Sequence, residues 1–173
     1  MSWKEKQFEE QMSPYIDNIY KQLFKGIKEI NRSCSNKNNE IQMFMDKELG
    51  IDTTLKFQDG TFLTFQEKTR LNNYLSFNDF TFEYYNDPST GEQGEWFKLA
   101  SQYYFYGFAN KQNTGYEKFY VLNVPAFRLF LKNDVGIEEL EKKYLKQNKA
   151  PAKANFFFIP FKIIPNKCIL YES

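Results

Sequence analysis

Hydrophobic positions recur at helical spacing near the start of the chain and at strand spacing just beyond it. Ile16, Tyr20, Leu23, Ile27 and Ile30 form one stripe behind Ser13-Pro14, which predicts an amphipathic helix over residues 14–31. A polar break runs from Asn31 to Asn39. A short helix follows over Glu40–Leu49, with Ile41, Phe44, Met45 and Leu49 on one side and a stop at Gly50. Two strands are expected at Asp52–Phe57 and Thr61–Lys68, separated by Gln58-Asp59-Gly60, and a third at Phe80–Tyr85. Thr90-Gly-Glu-Gln93 reads as a capping box for a helix over Glu92–Ala109, striped by Trp96, Leu99, Tyr103 and Tyr106. Tyr116–Val124 is a further strand, and Pro125 opens a helix to about Lys132. Ile137–Gln147 is another helix. Asn155–Ile164 is a last strand, interrupted by Pro160 and therefore expected at an edge. The order predicts one α/β domain with a central mixed sheet flanked by helices, without internal repeats or a domain-separating linker.

Composition narrows the chemistry more than the class. The 173 residues include 19 Phe and 12 Tyr, enough ring area to build a core. Histidine is absent, which removes Ser-His-Asp and Cys-His hydrolases, His-metal nucleases and His-ligated zinc or haem. Cys34 and Cys168 lie near opposite ends and form no CxxC, so a four-thiolate metal site is excluded and a disulfide framework is not expected. Chemistry is left to carboxylates, amides, Lys, Arg, Tyr or Ser, with a hard metal ion as the natural helper. The net charge of +1 gives no global basic field. The first residues carry no apolar core segment and no run approaches a membrane span, so a cytoplasmic, intracellular protein is expected.

The informative stretch is Gly50 to Arg70, where two hairpin registers compete. A two-residue Asp59-Gly60 turn pairs Gln58 with Thr61 and leaves both faces mixed. A three-residue turn with Gly60 in the left-handed position pairs Phe57 with Thr61 and Leu55 with Leu63. Leu55, Phe57, Leu63 and Phe65 then share one face, as a buried side requires. The other face carries Asp52 opposite Gln66, with Lys68 two residues on, so the hydrophobic pattern itself brings together an acid, an amide and an ammonium. Asp59 is a turn former.

An acid at the start of one strand and an acid-x-Lys pair on the next resembles the signature of the PD-(D/E)XK, restriction-endonuclease-like nucleases. Asp52 takes the first role and Gln66-Glu67-Lys68 the second. Ile51 precedes Asp52 where many members have Pro, and Gln66 stands where most have an acid, although Gln-x-Lys variants occur among active members. Glu67 cannot be the missing acid, because Thr69 would then occupy the Lys position. The resemblance covers a core of about residues 14–124, with a C-terminal helical and strand extension over 125–173. It implies a bound Mg²⁺ or Mn²⁺ held by Asp52, the Gln66 side-chain oxygen and the Glu67 backbone carbonyl. Lys68 would then hold the attacking water or stabilise the phosphate.

The resemblance also implies a further acid, for which Glu29, Glu40 and Glu83 are candidates. Gln102-x-x-x-Tyr106 resembles a supporting motif of RecB-like members, and Arg70 is the phosphate-binding candidate. The expected activity is DNA phosphodiester hydrolysis by an endonuclease of a restriction, phage or mobile-element system, with DNA as partner and a homodimer as a common assembly. The alternative is a catalytically degenerate protein of the same fold that binds nucleic acid or a protein partner. Lys142, Lys143, Lys146, Lys149 and Lys153 match no part of the family and read as a solvated face.

Overall fold

A computed structural model describes residues 3–33, 40–148 and 153–173. The polar break after Ser33, including Cys34, lies outside the described residues, as does Lys149. The elements run α1 (Trp3–Leu23), β1 (Ile27–Arg32), α2 (Glu40–Leu49), β2 (Thr53–Phe57), β3 (Phe62–Arg70), β4 (Asp79–Asp87) and β5 (Glu92–Gln93). Then follow α3 (Glu95–Lys98), β6 (Tyr103–Ala109), β7 (Tyr116–Asn123), α4 (Val124–Phe130), α5 (Ile137–Tyr144), β8 (Leu145–Gln147), β9 (Asn155–Pro160) and β10 (Ile169–Glu172).

The class is α/β, with a mixed central sheet and flanking helices. That six-stranded sheet has the order β1-β2-β3-β6-β7-β10, and a second sheet has the order β5-β4-β9-β8. In the larger sheet β3 and β6 are parallel, whereas β1, β2 and β3 form an antiparallel meander. A parallel pair needs a crossover, usually helical. Here it is made largely of β4, β5 and α3, so the second sheet grows out of the connection itself.

Two cores result. Ile16 and Tyr20 of α1 pack on Leu55, Phe65, Phe105 and Val121 from one face of the larger sheet. Tyr104, Tyr106, Phe108, Tyr120 and Leu122 on the opposite face meet Phe80, Phe82, Phe157 and Ile159 of the smaller sheet, with Phe127 of α4. Phe82 and Phe127 stack at 5.4 Å between ring centroids, and Phe82 meets the Tyr104 ring at 5.1 Å. Full burial of one such side chain stabilises by about 1.5–3 kcal/mol. Among the described residues, no helix is long and apolar enough to cross a membrane.

Several elements differ from the sequence expectation. The helix expected over 14–31 starts earlier and ends at Leu23, so Pro14 lies inside it rather than at its start. Gly26, at φ 81°, turns the chain into β1. A bulge between Ile27 and Glu29 then lets Ile27 and Ile30 both pack on the α1 core, which reproduces a helical spacing on a strand. The helix expected over 92–109 is one turn, α3, followed by β6, and Thr90 belongs to a tight turn on the Asp87 carbonyl. β6 is buried on both faces, so apolar residues at every position satisfy a helical and a strand period equally. The helix from Ile137 stops at Tyr144 and gives way to β8. Strand β9 is internal, between β4 and β8. Its Pro160 is tolerated because it is the terminal residue, opposite Asp79.

Candidate active site

The β2–β3 hairpin adopts the three-residue turn. Leu55 lies opposite Leu63, Phe57 N donates to Thr61 O at 2.9 Å, and Gly60 has φ 86°. Leu55 and Phe65 are fully buried against α1, and Phe57 and Leu63 are partly buried beside them. Asp59 accepts from the Thr61 N–H at 2.9 Å and the Thr61 hydroxyl at 2.7 Å, as a turn former does.

At the open end of the hairpin Asp52 is held from three sides. Its N–H donates to Phe65 O at 2.9 Å, its carbonyl accepts from Ser33 N at 2.8 Å, and its Oδ2 accepts from Glu67 N at 2.8 Å. Burial pushes the Asp52 carboxyl well above the usual carboxylate range. The charges of Glu67, Asp46 and Glu95 push the same way, against the Glu67 N–H.

Alternation along β3 then separates two polar groups. Glu67 points toward α1, where its carboxylate accepts from the Tyr20 hydroxyl at 2.9 Å and pairs with Arg32. Arg32 also pairs with Asp17, and its Nη1 donates to Thr53 Oγ1 at 3.1 Å. Gln66, Lys68 and Arg70 point the other way, toward the crossover. Lys68 Nζ contacts Glu95 Oε2 at 2.9 Å, with side chains 23% and 13% exposed. Burial opposes the Lys68 charge, but the Glu95 carboxylate outweighs it and holds the ammonium above its ordinary range. Glu83 lies in the same field. Burial raises its carboxyl, Lys68 lowers it and Glu95 raises it again.

Two acceptor oxygens in this region, Gln66 Oε1 and Glu95 Oε1, are buried without a hydrogen-bond partner. The Tyr104 hydroxyl makes no hydrogen bond of good geometry, but it lies near enough to the Glu95 carboxylate to act on it as a donor. Gln66 Oε1 sits so close to Gly50 that a Cβ there would lie 3.1 Å from it.

The structure therefore brings Asp52, Gln66, Lys68 and Glu83 toward one region and adds Asp46 and Glu95, neither of which the sequence singled out. Asp46 lies on the expected helix α2, but Glu95 fell inside the helix expected over 92–109, of which only the single turn α3 forms. Glu40 is exposed at the start of α2, and Glu29 is exposed on β1 opposite Lys56, away from Asp52.

The Gln102–Tyr106 pair is not on a helix, and its members do separate jobs. Gln102 Oε1 accepts from Thr64 N at 2.9 Å and Gln102 N donates to Thr64 Oγ1 at 3.0 Å, locking the start of β6 to β3. The Tyr106 hydroxyl shares Thr81 Oγ1 with Arg70, at 2.9 and 2.7 Å. The Arg70 guanidinium also covers the Tyr74 ring at 4.2 Å. Trp96 packs among Phe82, Phe127 and Phe157, so it is a core residue. In the Lys-rich segment Lys143 pairs with Glu139 and Lys153 with Asp87.

No protein-family model, curated protein or solved structure matches this chain.

The site's chemistry rests on its donor set. Among the described residues, no group of three or more acidic or cysteine side chains converges closely enough to hold a metal ion. The donors present are mixed: the Asp52 carboxylate, the unpartnered Gln66 amide oxygen and the Glu95 carboxylate oxygen not held by Lys68. All are hard oxygen ligands of the kind Mg²⁺ and Mn²⁺ accept, and the Gln66 oxygen lacks any donor. The residues fit such an ion.

Proposed function

We propose that the protein is a metal-dependent endonuclease that hydrolyses DNA phosphodiester bonds, built on a restriction-endonuclease-like core. The observation that carries this reading is the approach of Asp52, Gln66 and Lys68 at one end of the β2–β3 hairpin. The register that buries Leu55 and Phe65 turns Lys68, on the same face as Gln66, toward Glu95, an acid that acts on Asp52 as well. The strand order supports the reading, with the acid at the head of one strand and the Gln-x-Lys pair on its antiparallel neighbour. The crossover departs from it, being more strand than helix.

Asp52 and Gln66 would hold Mg²⁺ or Mn²⁺, which when bound neutralises phosphate charge and activates water. The Asp52 carboxylate is fixed by Glu67 N, so it is oriented before substrate arrives. Lys68 is kept charged by Glu95 and supplies an ammonium for charge developing on the phosphate. Thr81 and Tyr74 hold Arg70 at the far end of the same strand face, where it meets the substrate backbone.

Nicking of supercoiled plasmid with Mn²⁺ and then Mg²⁺ tests this reading. The parent should cut, and Lys68→Ala and Asp52→Ala should each lose about 10²–10³-fold in rate. Cutting that survives both substitutions would sink the assignment.

A second reading, a catalytically silent protein of the same fold that binds nucleic acid or a partner, is favoured by one observation. Glu95 already neutralises Lys68, the ammonium that would face the phosphate. On that reading Mn²⁺ leaves the melting temperature unchanged.

A further inference from the structure

The crossover places Glu95 on a rigid support. Gly94 N donates to Tyr84 O at 2.9 Å, and a Cβ on Gly94 would come within 2.5 Å of the Glu83 carbonyl oxygen. Only a bare backbone passes there, so the start of α3 is pressed onto β4. Just past its other end, Ala100 N donates to Leu49 O at 2.9 Å and ties α3 to α2, the helix that carries Asp46. Glu95 is thus fixed between the strand of Glu83 and the helix of Asp46, facing Lys68.

Its hydrogen bonding is half complete. Oε2 takes the Lys68 ammonium at 2.9 Å, while Oε1 is buried and accepts no hydrogen bond of good geometry. Gln66 Oε1, from the same face of β3 as Lys68, is buried and unpartnered too. Two acceptors cannot satisfy each other, and leaving a buried acceptor dry is costly. Tyr104 is fully buried next to Glu95 and its hydroxyl is a poorly aligned donor to that carboxylate, which leaves Gln66 Oε1 as the acceptor with no donor. The charge balance points the same way. Glu95 acts on Asp52, Glu83 and Tyr104, and Lys68 is the cation that meets it, since Arg70 is engaged with Thr81 and Tyr74.

We propose that Glu95 is a ligand of the divalent cation, and that its ion pair with Lys68 is the cation-free arrangement. When the cation binds, the carboxylate turns to it and the ammonium is released toward the phosphate. This rests on the reading of Asp52 and Gln66 as cation donors, and it names the acid that completes them. Lys68 and the cation then compete for one carboxylate. A purely structural ion pair has no such consequence.

The test is Mn²⁺ titration of the full chain, followed by the free-ion paramagnetic resonance signal, with thermal melts to confirm folding. The parent should bind Mn²⁺, Asp52→Asn should lose binding, and Glu95→Gln should weaken it by about 10–100-fold. Lys68→Met should tighten binding several-fold, and the double variant Glu95→Gln/Lys68→Met should show none of that gain. If Glu95→Gln fails to fold, the Lys68→Met arm decides alone.

Mn²⁺ binding by Glu95→Gln equal to the parent, or no tightening in Lys68→Met, would overturn the inference. If Asp52→Asn has meanwhile lost binding and the parent nicks plasmid, the nuclease reading stands without it. A parent that neither binds Mn²⁺ nor nicks plasmid would overturn both, leaving a buried site that holds only water.

Discussion

Arg32→Met is expected to destabilise the protein by about 3–5 kcal/mol, the cost of removing one partner from a buried ion pair. The side chains of Arg32 and Glu67 are only 12% and 10% exposed, so the charge left on Glu67 regains little water. Asp17 is 29% exposed and recovers more of its hydration, which makes it the smaller contributor. Two further contacts disappear, Nη1 to Thr53 Oγ1 at 3.1 Å and Nη2 to the Ser13 carbonyl at 3.3 Å. Each contributes about 0.5–1.5 kcal/mol, and the second is long. The Tyr20 hydroxyl at 2.9 Å stays on Glu67 and limits the loss. For a chain of this size each kcal/mol lowers the melting temperature by about 2–4 °C, so a fall of about 6–20 °C is expected.

Urea unfolding of parent, Arg32→Met, Glu67→Gln and the double variant measures the effect. The double variant should be more stable than Arg32→Met alone, because no bare carboxylate is left inside, with a coupling of about 0.5–3 kcal/mol. A loss below about 1 kcal/mol with additive single effects would refute the reasoning, since that is how an exposed pair behaves.

Two other outcomes follow from the site. The Asp52 carboxyl is raised by burial and neighbouring acids, so its contribution to stability is full below the unfolded value of about 3.9 and is lost as pH rises through the higher folded value. Without divalent ions, Asp52→Asn should therefore melt above the parent at pH 8 and lose that advantage at pH 4; an equal difference at both pH values would contradict this. Gly94 has φ −88°, open to any residue, so Gly94→Ala isolates the 2.5 Å approach to the Glu83 carbonyl. It should cost about 1–3 kcal/mol by urea unfolding, and an alanine variant as stable as the parent would mean that β4 and α3 separate freely.

Where local pattern and tertiary burial agree, the sequence was legible. Leu55, Phe57, Leu63 and Phe65 could share a face in one register alone, and burial of one face of the hairpin then put Gln66 and Lys68 on the other. The α2 helix, β7 and the Pro125 helix start were readable because each carries its own signal: a glycine stop, an amphipathic or apolar period, an early proline. Asn123 shows how local such a signal is, since its side chain caps α4 by accepting from Ala126 N at 2.9 Å.

Where a segment is buried on both sides, periodicity carries no direction. Tyr103–Ala109 reads as a helix by its aromatic spacing and is the central strand β6, because α1 covers one face of the sheet and the second sheet covers the other. The same holds for Ile27 and Ile30, whose three-residue spacing is preserved on a strand by a bulge.

The site divides along the same line. The hairpin's own alternation determined that an acid, an amide and a lysine stand together. Their partners were decided only by the crossover, which brings Glu95 onto Lys68 across 27 positions of sequence, and by α1 with β1, which tie Glu67 to Tyr20 and Arg32 across 47 and 35. A strand's alternation is written in neighbouring residues. Which charge neutralises a buried ammonium depends on where distant backbone is packed.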